Sequence, residues 1–190
     1  MERPPDRRRL ITHFTAADNG PWQVVRLEAI AGRGIAPIDR LAIVETFLSP
    51  GRGQAEWPLR GVPGHGRYVT RAERAALEAR QPALGRPDAT CAALIPVSKS
   101  AAWWDLAQDE RRAILEERSA HIITGLGYLP AIARRLYHGR DLGEPFDFLT
   151  WFEYAPGEAA RFDELVSRLR DTEEWRYVER EVDIRLRRRT

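Results

Sequence analysis

The apolar positions of this chain follow two regimes, irregular before about residue 88 and regular after it. Between residues 10 and 31, LITHFTA and PWQVVRLEAI flank ADNGP, whose Asn-Gly is a turn signal. Both segments carry β-branched and aromatic residues and read as strands. Residues 32–67 are rich in Gly and Pro, and only IDRLAIVETFL stands out there, as a strand or a short helix. VTRAERAALEAR predicts a helix capped by Thr70, with Glu73 three residues on. QPALGRPD reads as a linker and divides the chain into 1–88 and 89–190.

From Ala89 the periods become clean. ATCAALIPVS predicts a strand, SAAWWDLAQ a connection, and Asp109 to Gly125 a helix with Ile114, Leu115, Ile122 and Leu126 at helical spacing. Gly125, Gly127 and Pro130 end it. LPAIARRLYHG and FDFLTWFEYA read as strands around the turn GRDLGEP. Gly157 to about Tyr177 predicts a helix with Phe162, Leu165, Val166 and Leu169 on one face, and VEREVDIRLR closes as a strand. The order β-α-β-β-α-β is the ferredoxin-like split βαβ, an antiparallel sheet with both helices on one face. The other face then needs cover, from a second sheet or from a ligand.

Parity places Ile132, Arg134, Leu136 and His138 on one face of the first hairpin strand. Phe146, Phe148, Thr150 and Phe152 share a face of the second. Such a surface, apolar with one cationic point, suits a flat hydrophobic ligand and a small anion. The rival reading puts Arg134 on the solvated side against an acid, with Arg135 an equal candidate. His121, near the end of a predicted helix and close to Gly125 and Gly127, is either an ordinary helical histidine or a group that a planar ligand can approach. His138 reads as a turn-edge histidine, and His13 and His65 as residues in or near loops. His121 and Arg134 are 13 residues apart. That is roughly 20 Å on an unbroken helix, but the Gly/Pro break lets both flank one ligand.

Composition removes several classes. With 190 residues there is enough chain for a core. Net charge is only +2, and most basic residues alternate with acids as on solvated helix faces, so nucleic acid is not an expected partner. The terminal RLRRRT reads as a frayed basic tail. Cys91 is the lone cysteine, which excludes an internal disulfide and a cysteine-based metal cluster. No stretch approaches the ~18 apolar residues of a membrane span, and MERPPDRRRL has no signal-like apolar region. The cytoplasm is therefore the expected location, or the periplasm if a leader has been removed. Of 30 basic residues only Lys99 is lysine. A compact ammonium on a flexible stem can meet a carboxylate in a tight space where arginine cannot, although chance is the competing account.

Taken in order, IPVSKSAAWW, DERRAILEERSAHI, YLPAIARRLYHGRDLGEPFDFLTWFEYAP and LRDTEEWRYVEREVDIRL resemble the chlorite dismutase family, with GVPGHGRYVTRAE adding support upstream. The short N-terminal region resembles the family's short-chain, homodimeric lineage. The resemblance implies an α+β fold: a ferredoxin-like, dimeric α+β barrel with an abbreviated N-terminal half and haem b in the C-terminal half. It implies His121 as the iron ligand and Arg134 as the distal arginine. Lys99 and Glu174 would form a hydrogen-bond network with the histidine, Glu173 being the alternative to Glu174. Trp103 and Trp104 would line the haem, Tyr68 would lie near a propionate, and Thr150 and Phe152 would form the distal wall. The implied reaction converts chlorite to chloride and dioxygen through hypochlorite and a ferryl state, with detoxification as its expected role. The alternatives are a coproheme decarboxylase, a branch that typically carries glutamine in place of Arg134, and a haem-binding protein or weak peroxidase without this turnover.

Overall fold

Residues 10–47, 57–64 and 68–189 are described by the computed structural model, and His65 lies outside them. β1 (Leu10–Ala16) and β2 (Trp22–Ala31) form on either side of the Asn-Gly turn but do not pair with each other. β3 (Arg40–Phe47) lies between them, antiparallel to β1 along its whole length and meeting β2 only at Trp22–Leu41 and Gln23–Arg40. β2 therefore runs on past the start of β3, parallel to β1 but staggered from it. That stagger lets residues 17–21 make a connection where a flush parallel pair would need about a dozen residues. Gly20 is required at this seam, because a Cβ there would stand 2.6 Å from the Leu41 carbonyl. His13 belongs to β1, not to a loop, and its Nε2 lies 2.8 Å from Thr46 Oγ1.

β4 (Pro58–Pro63) hides in the Gly/Pro-rich stretch, with a proline at each end where the ladder tolerates one. α1 (Arg71–Arg80) has the expected capping box: Glu73 N–H donates to Thr70 Oγ1, and Thr70 N–H donates to Glu73 Oε2. β5 (Cys91–Lys99), β6 (Ala133–His138), β7 (Phe148–Tyr154) and β8 (Val178–Arg188) build the second half. Their order, β8-β5-β7-β6, is the ferredoxin-like one, and the first half repeats it as β4-β1-β3-β2, with no helix between these strands among the described residues. Pairing of β2 with β8 and of β4 with β6 closes all eight strands into a barrel. The fold is thus the expected α+β barrel of two ferredoxin-like units.

Several elements depart from expectation. The connection after β5 contains a short helix, α2 (Ala101–Asp105). The helix predicted over 109–125 is broken into α3 (Gln108–Arg112), a π-helical turn (Ala113–Arg118) and α4 (His121–Gly127). The last helix, α5 (Ala159–Arg170), stops before residue 171, and Glu174–Tyr177 form a separate 3-10 turn. The terminal basic run is not a tail, since β8 extends through Arg188, whose guanidinium lies 4.8 Å over the Trp22 ring.

Alternation sorts the β5 side chains into two cores. Ala92 and Leu94 point into the barrel with Phe14, Trp22, Trp151 and Ile184. Ala93, Ile95 and Val97 point outward and pack, with Phe152, beneath Phe162, Leu165 and Leu169 of α5. Each fully buried large side chain contributes roughly 1.5–3 kcal/mol. The first sheet therefore covers the inner face of the second, and the helices cover its outer face. Phe146 precedes β7 and joins the barrel interior, so it does not share the face of Phe148, Thr150 and Phe152 as parity predicted. Among the described residues no helix is long and apolar enough to cross a membrane.

Candidate active site

On the outer face of β5, β7 and β6, the helices leave a cavity of about 360 Å³. Its wall is mainly apolar, with Ile95, Val97, Leu136 and Phe148 from the sheet and Leu115 and Ile122 from the helices. Tyr68, Val69 and Leu77 add the α1 side, and Arg112 secures it by donating to both Glu73 carboxylate oxygens and to the Tyr68 carbonyl.

His121, Glu174 and Lys99 meet at this cavity. His121 Nδ1 lies 2.6 Å from Glu174 Oε2, and Lys99 Nζ donates to Glu174 Oε1 at 2.7 Å. The Lys99 and Glu174 side chains are only 4% and 5% exposed, so both charges are removed from water and need each other. Burial alone would raise the Glu174 carboxyl pKa. The charges of His121 and Lys99, with the hydrogen bonds they donate, outweigh it and hold the pKa at about 2. An ionised carboxylate only accepts, so the Nδ1 proton lies in the contact with Glu174, and in the neutral ring Nε2 is the nitrogen available to a ligand. A further anchor comes from Glu174 N–H, which donates to Ser119 Oγ at 2.9 Å. Glu173 is turned away and meets Arg118 at 2.9 Å, so Glu174 is the partner of His121.

Because the folded pKa lies below the ordinary 4.5, this carboxylate stabilises the fold fully above pH 4.5, and the contribution drains away as pH falls toward 2. Its size is on the order of 3 kcal/mol. Glu73 and Asp183 are also depressed and act in the same direction. The expected result is that unfolding free energy, followed by denaturant titration between pH 5 and 2, drops more steeply for the native chain than for Glu174→Gln. Parallel curves would remove the assigned role of this charge.

His121 reaches its place through the broken helix. Ala120 has φ of 51°, a left-handed conformation unfavourable for a residue with a Cβ, and it directly precedes the first residue of α4. His121 thus opens a helix instead of lying near the end of a long one. α4 then brings Gly125 against Arg134, where a Cβ would stand 2.1 Å from Nη1. Arg134 lines the cavity and has no hydrogen-bond or carboxylate partner among the described residues. Burial lowers its pKa, and a guanidinium stays protonated inside proteins. Arg135 also contributes to the lining, yet it is exposed and its charge is met by Glu45 at 3.8 Å.

The structure brings Tyr68, Trp103, Thr150 and Phe152 to the same cavity. Trp103 is buried, with its ring edge-on to Tyr68 and Tyr177 and Lys99 Nζ 4.7 Å from its centre. Trp104 does not line the cavity. It stacks beside Phe148, with the guanidinium groups of Arg111 and Arg140 at 5.1 and 3.9 Å from its ring centre, and its indole N–H donates to Asp147. Sequence reasoning missed Asp147, which also accepts the Lys99 backbone N–H at 2.7 Å, and Trp175, which lines the cavity and donates to buried Glu181. Asp147 carries no local signal, because its partners lie 43 and 48 residues away.

Barrel and chamber together define an α+β barrel protein whose cavity is lined by an anchored imidazole and by a guanidinium with no carboxylate partner among the described residues. Within that class the chain belongs to the chlorite dismutase family, whose model matches residues 54–190. Over 84 residues it is 35% identical to a chlorite dismutase of Ideonella dechloratans, a stretch that is 44% of this chain and spans 27% of that relative's length. A crystal structure of a dimeric chlorite dismutase from Nitrobacter winogradskyi is 56% identical, with a TM-score of 0.86, covering 94% of this chain and 99% of that one. A chlorite dismutase variant of Candidatus Nitrospira defluvii, 19% identical over 95% of this chain and 92% of its own, has a TM-score of 0.64 and speaks for the fold alone.

Proposed function

We propose that this protein is a haem b-dependent chlorite dismutase, converting chlorite to chloride and dioxygen, and that it works as a homodimer. The observation that carries this reading is a guanidinium, without a carboxylate partner among the described residues, lining the same cavity as an imidazole tied to a buried carboxylate. Family membership and the dimeric Nitrobacter relative support it.

The residues fit haem. Among the described residues no cluster of three or more His, Cys, Asp or Glu could hold a bare ion. One imidazole does suit an iron whose other in-plane ligands come from a macrocycle. The walls are mainly apolar, and the buried Trp103 Nε1 is a donor without a hydrogen-bond partner among the described residues. Haem, when bound, supplies an iron at which chlorite can give up an oxygen atom.

The chain's own residues prepare that chemistry. Glu174 holds the Nδ1 proton of His121, which makes Nε2 a stronger donor and fixes the ring. Lys99 stabilises the carboxylate so that it stays ionised inside the protein. Arg134 holds the oxyanion of chlorite and then that of the hypochlorite formed from it, because a guanidinium does not give up its proton near neutral pH. Phe148, Leu136 and Ile95 keep water from competing for the guanidinium.

An oxygen electrode tests the reading on haem-loaded protein. Oxygen release on adding chlorite is expected. No release, with coproheme turned over by peroxide instead, would assign the decarboxylase chemistry, and neither reaction would leave a haem carrier. Gly125→Ala should leave the barrel folded, since alanine is up to about 1 kcal/mol better than glycine in a helix. The added methyl must push the Arg134 guanidinium aside, so chlorite turnover should fall about tenfold at unchanged melting temperature. A melting-temperature loss with normal specific activity would contradict that account.

A further inference from the structure

We infer that Glu116 is a positioning residue for His121, acting through the backbone of the turn that carries the ligand. This rests on the reading that His121 holds the cofactor. Glu116 sits in the π-helical stretch Ala113–Arg118 and is half-buried. On a continuous helix its side chain would lie alongside Ala120 and face solvent. The chain instead breaks after Arg118, and the Glu116 carboxylate reaches across the break. One oxygen accepts Ile122 N–H at 2.6 Å and the other accepts Ile123 N–H at 3.2 Å. Its backbone carbonyl accepts Ala120 N–H at 2.8 Å, so the same residue fixes both sides of the turn.

The break needs such a clamp. Ala120 is held in a left-handed conformation that costs about 1–2 kcal/mol, and α4 is too short to stabilise its own start. The first N–H groups of a helix lack partners within it, and a side-chain acceptor there contributes ~1 kcal/mol. Ser119 ties the other flank to Glu174 through the Glu174 N–H. His121 therefore stands between two fasteners. Glu174 orients its ring, and Glu116 fixes the direction in which its helix leaves the turn. π-helical insertions are common at functional sites, and here the insertion delivers the capping carboxylate.

Four measurements on Glu116→Ala and Glu116→Gln test this, alongside the native chain. In haem-free protein, amide exchange at Ile122 and Ile123 should accelerate about tenfold in Glu116→Ala while β5 and β7 amides keep their native rates. The far-downfield proton signal of His121 Nδ1–H, bonded to Glu174, should broaden or move upfield. In haem-loaded protein, the iron–imidazole stretching band should shift, and transfer of haem to an apo-globin acceptor should quicken about tenfold. Glu116→Gln keeps one acceptor oxygen and should fall between the other two, which covers the case in which the alanine variant fails to fold. A native-like Nδ1–H signal and native haem transfer in either folded variant would overturn the proposal. A native chain that takes up no haem would instead refute the functional reading, and the haem-free measurements would still decide Glu116.

Discussion

Arg134→Ala is expected to lower chlorite turnover between about tenfold and a hundredfold, because a charge-assisted hydrogen bond to the substrate anion contributes roughly 1.5–3 kcal/mol. Haem should remain bound, since the imidazole side of the cavity is untouched. The second expected signature is chemical. Without the guanidinium, hypochlorite formed beside the haem should escape before dioxygen forms, and a chlorine-accepting dye should be bleached during turnover. Arg134→Lys keeps the charge but not the fork of donors, so it should recover part of the rate. Turnover by Arg134→Ala at the native rate with no dye bleached would show that the reaction does not use this residue.

The other large effect concerns the buried pair. Glu174→Ala leaves the Lys99 ammonium inside the protein with no carboxylate, at an expected cost of about 3–5 kcal/mol in folding free energy. It also releases the His121 ring, and loss of such a partner weakens metal binding about 10- to 100-fold. Adding Lys99→Met to Glu174→Ala should restore most of the stability and none of the affinity. That contrast separates the two jobs of the carboxylate, and a double variant as unstable as the single one would show that the lysine charge is not the source of the loss. Denaturant titration reads the first quantity and haem transfer the second.

How much of this was legible beforehand depended on where the deciding contacts lie. Thr70 and Glu73 are three residues apart, so the cap of α1 could be read from the sequence. Strand alternation likewise placed Arg134, Leu136 and His138 on one face, and all three line the cavity. Phe146 misled because parity was counted through a residue that lies outside β7. The break before His121 was unreadable, as Ile114, Leu115, Ile122 and Leu126 keep a helical period across it. The register survives because the π turn absorbs part of the interruption. Lys99 drew attention by rarity alone, and its meaning comes from Glu174, 75 residues away. Resemblance to a family supplied that pairing where periodicity had no means to.

Among the described residues, none of the cluster that fills the barrel interior also lines the cavity. The closed cylinder and the chamber on its flank are therefore separate inventions that share only a wall. A bound cofactor adds to stability by mass action, about 2.7 kcal/mol at a hundredfold excess over its dissociation constant, without being needed to build the scaffold. Because the eight strands join in one barrel whose interior is already filled, such a chain can hold its shape in the interval between synthesis and loading. The same separation lets descendants of one cylinder exchange one reaction for another by redrawing its outer face.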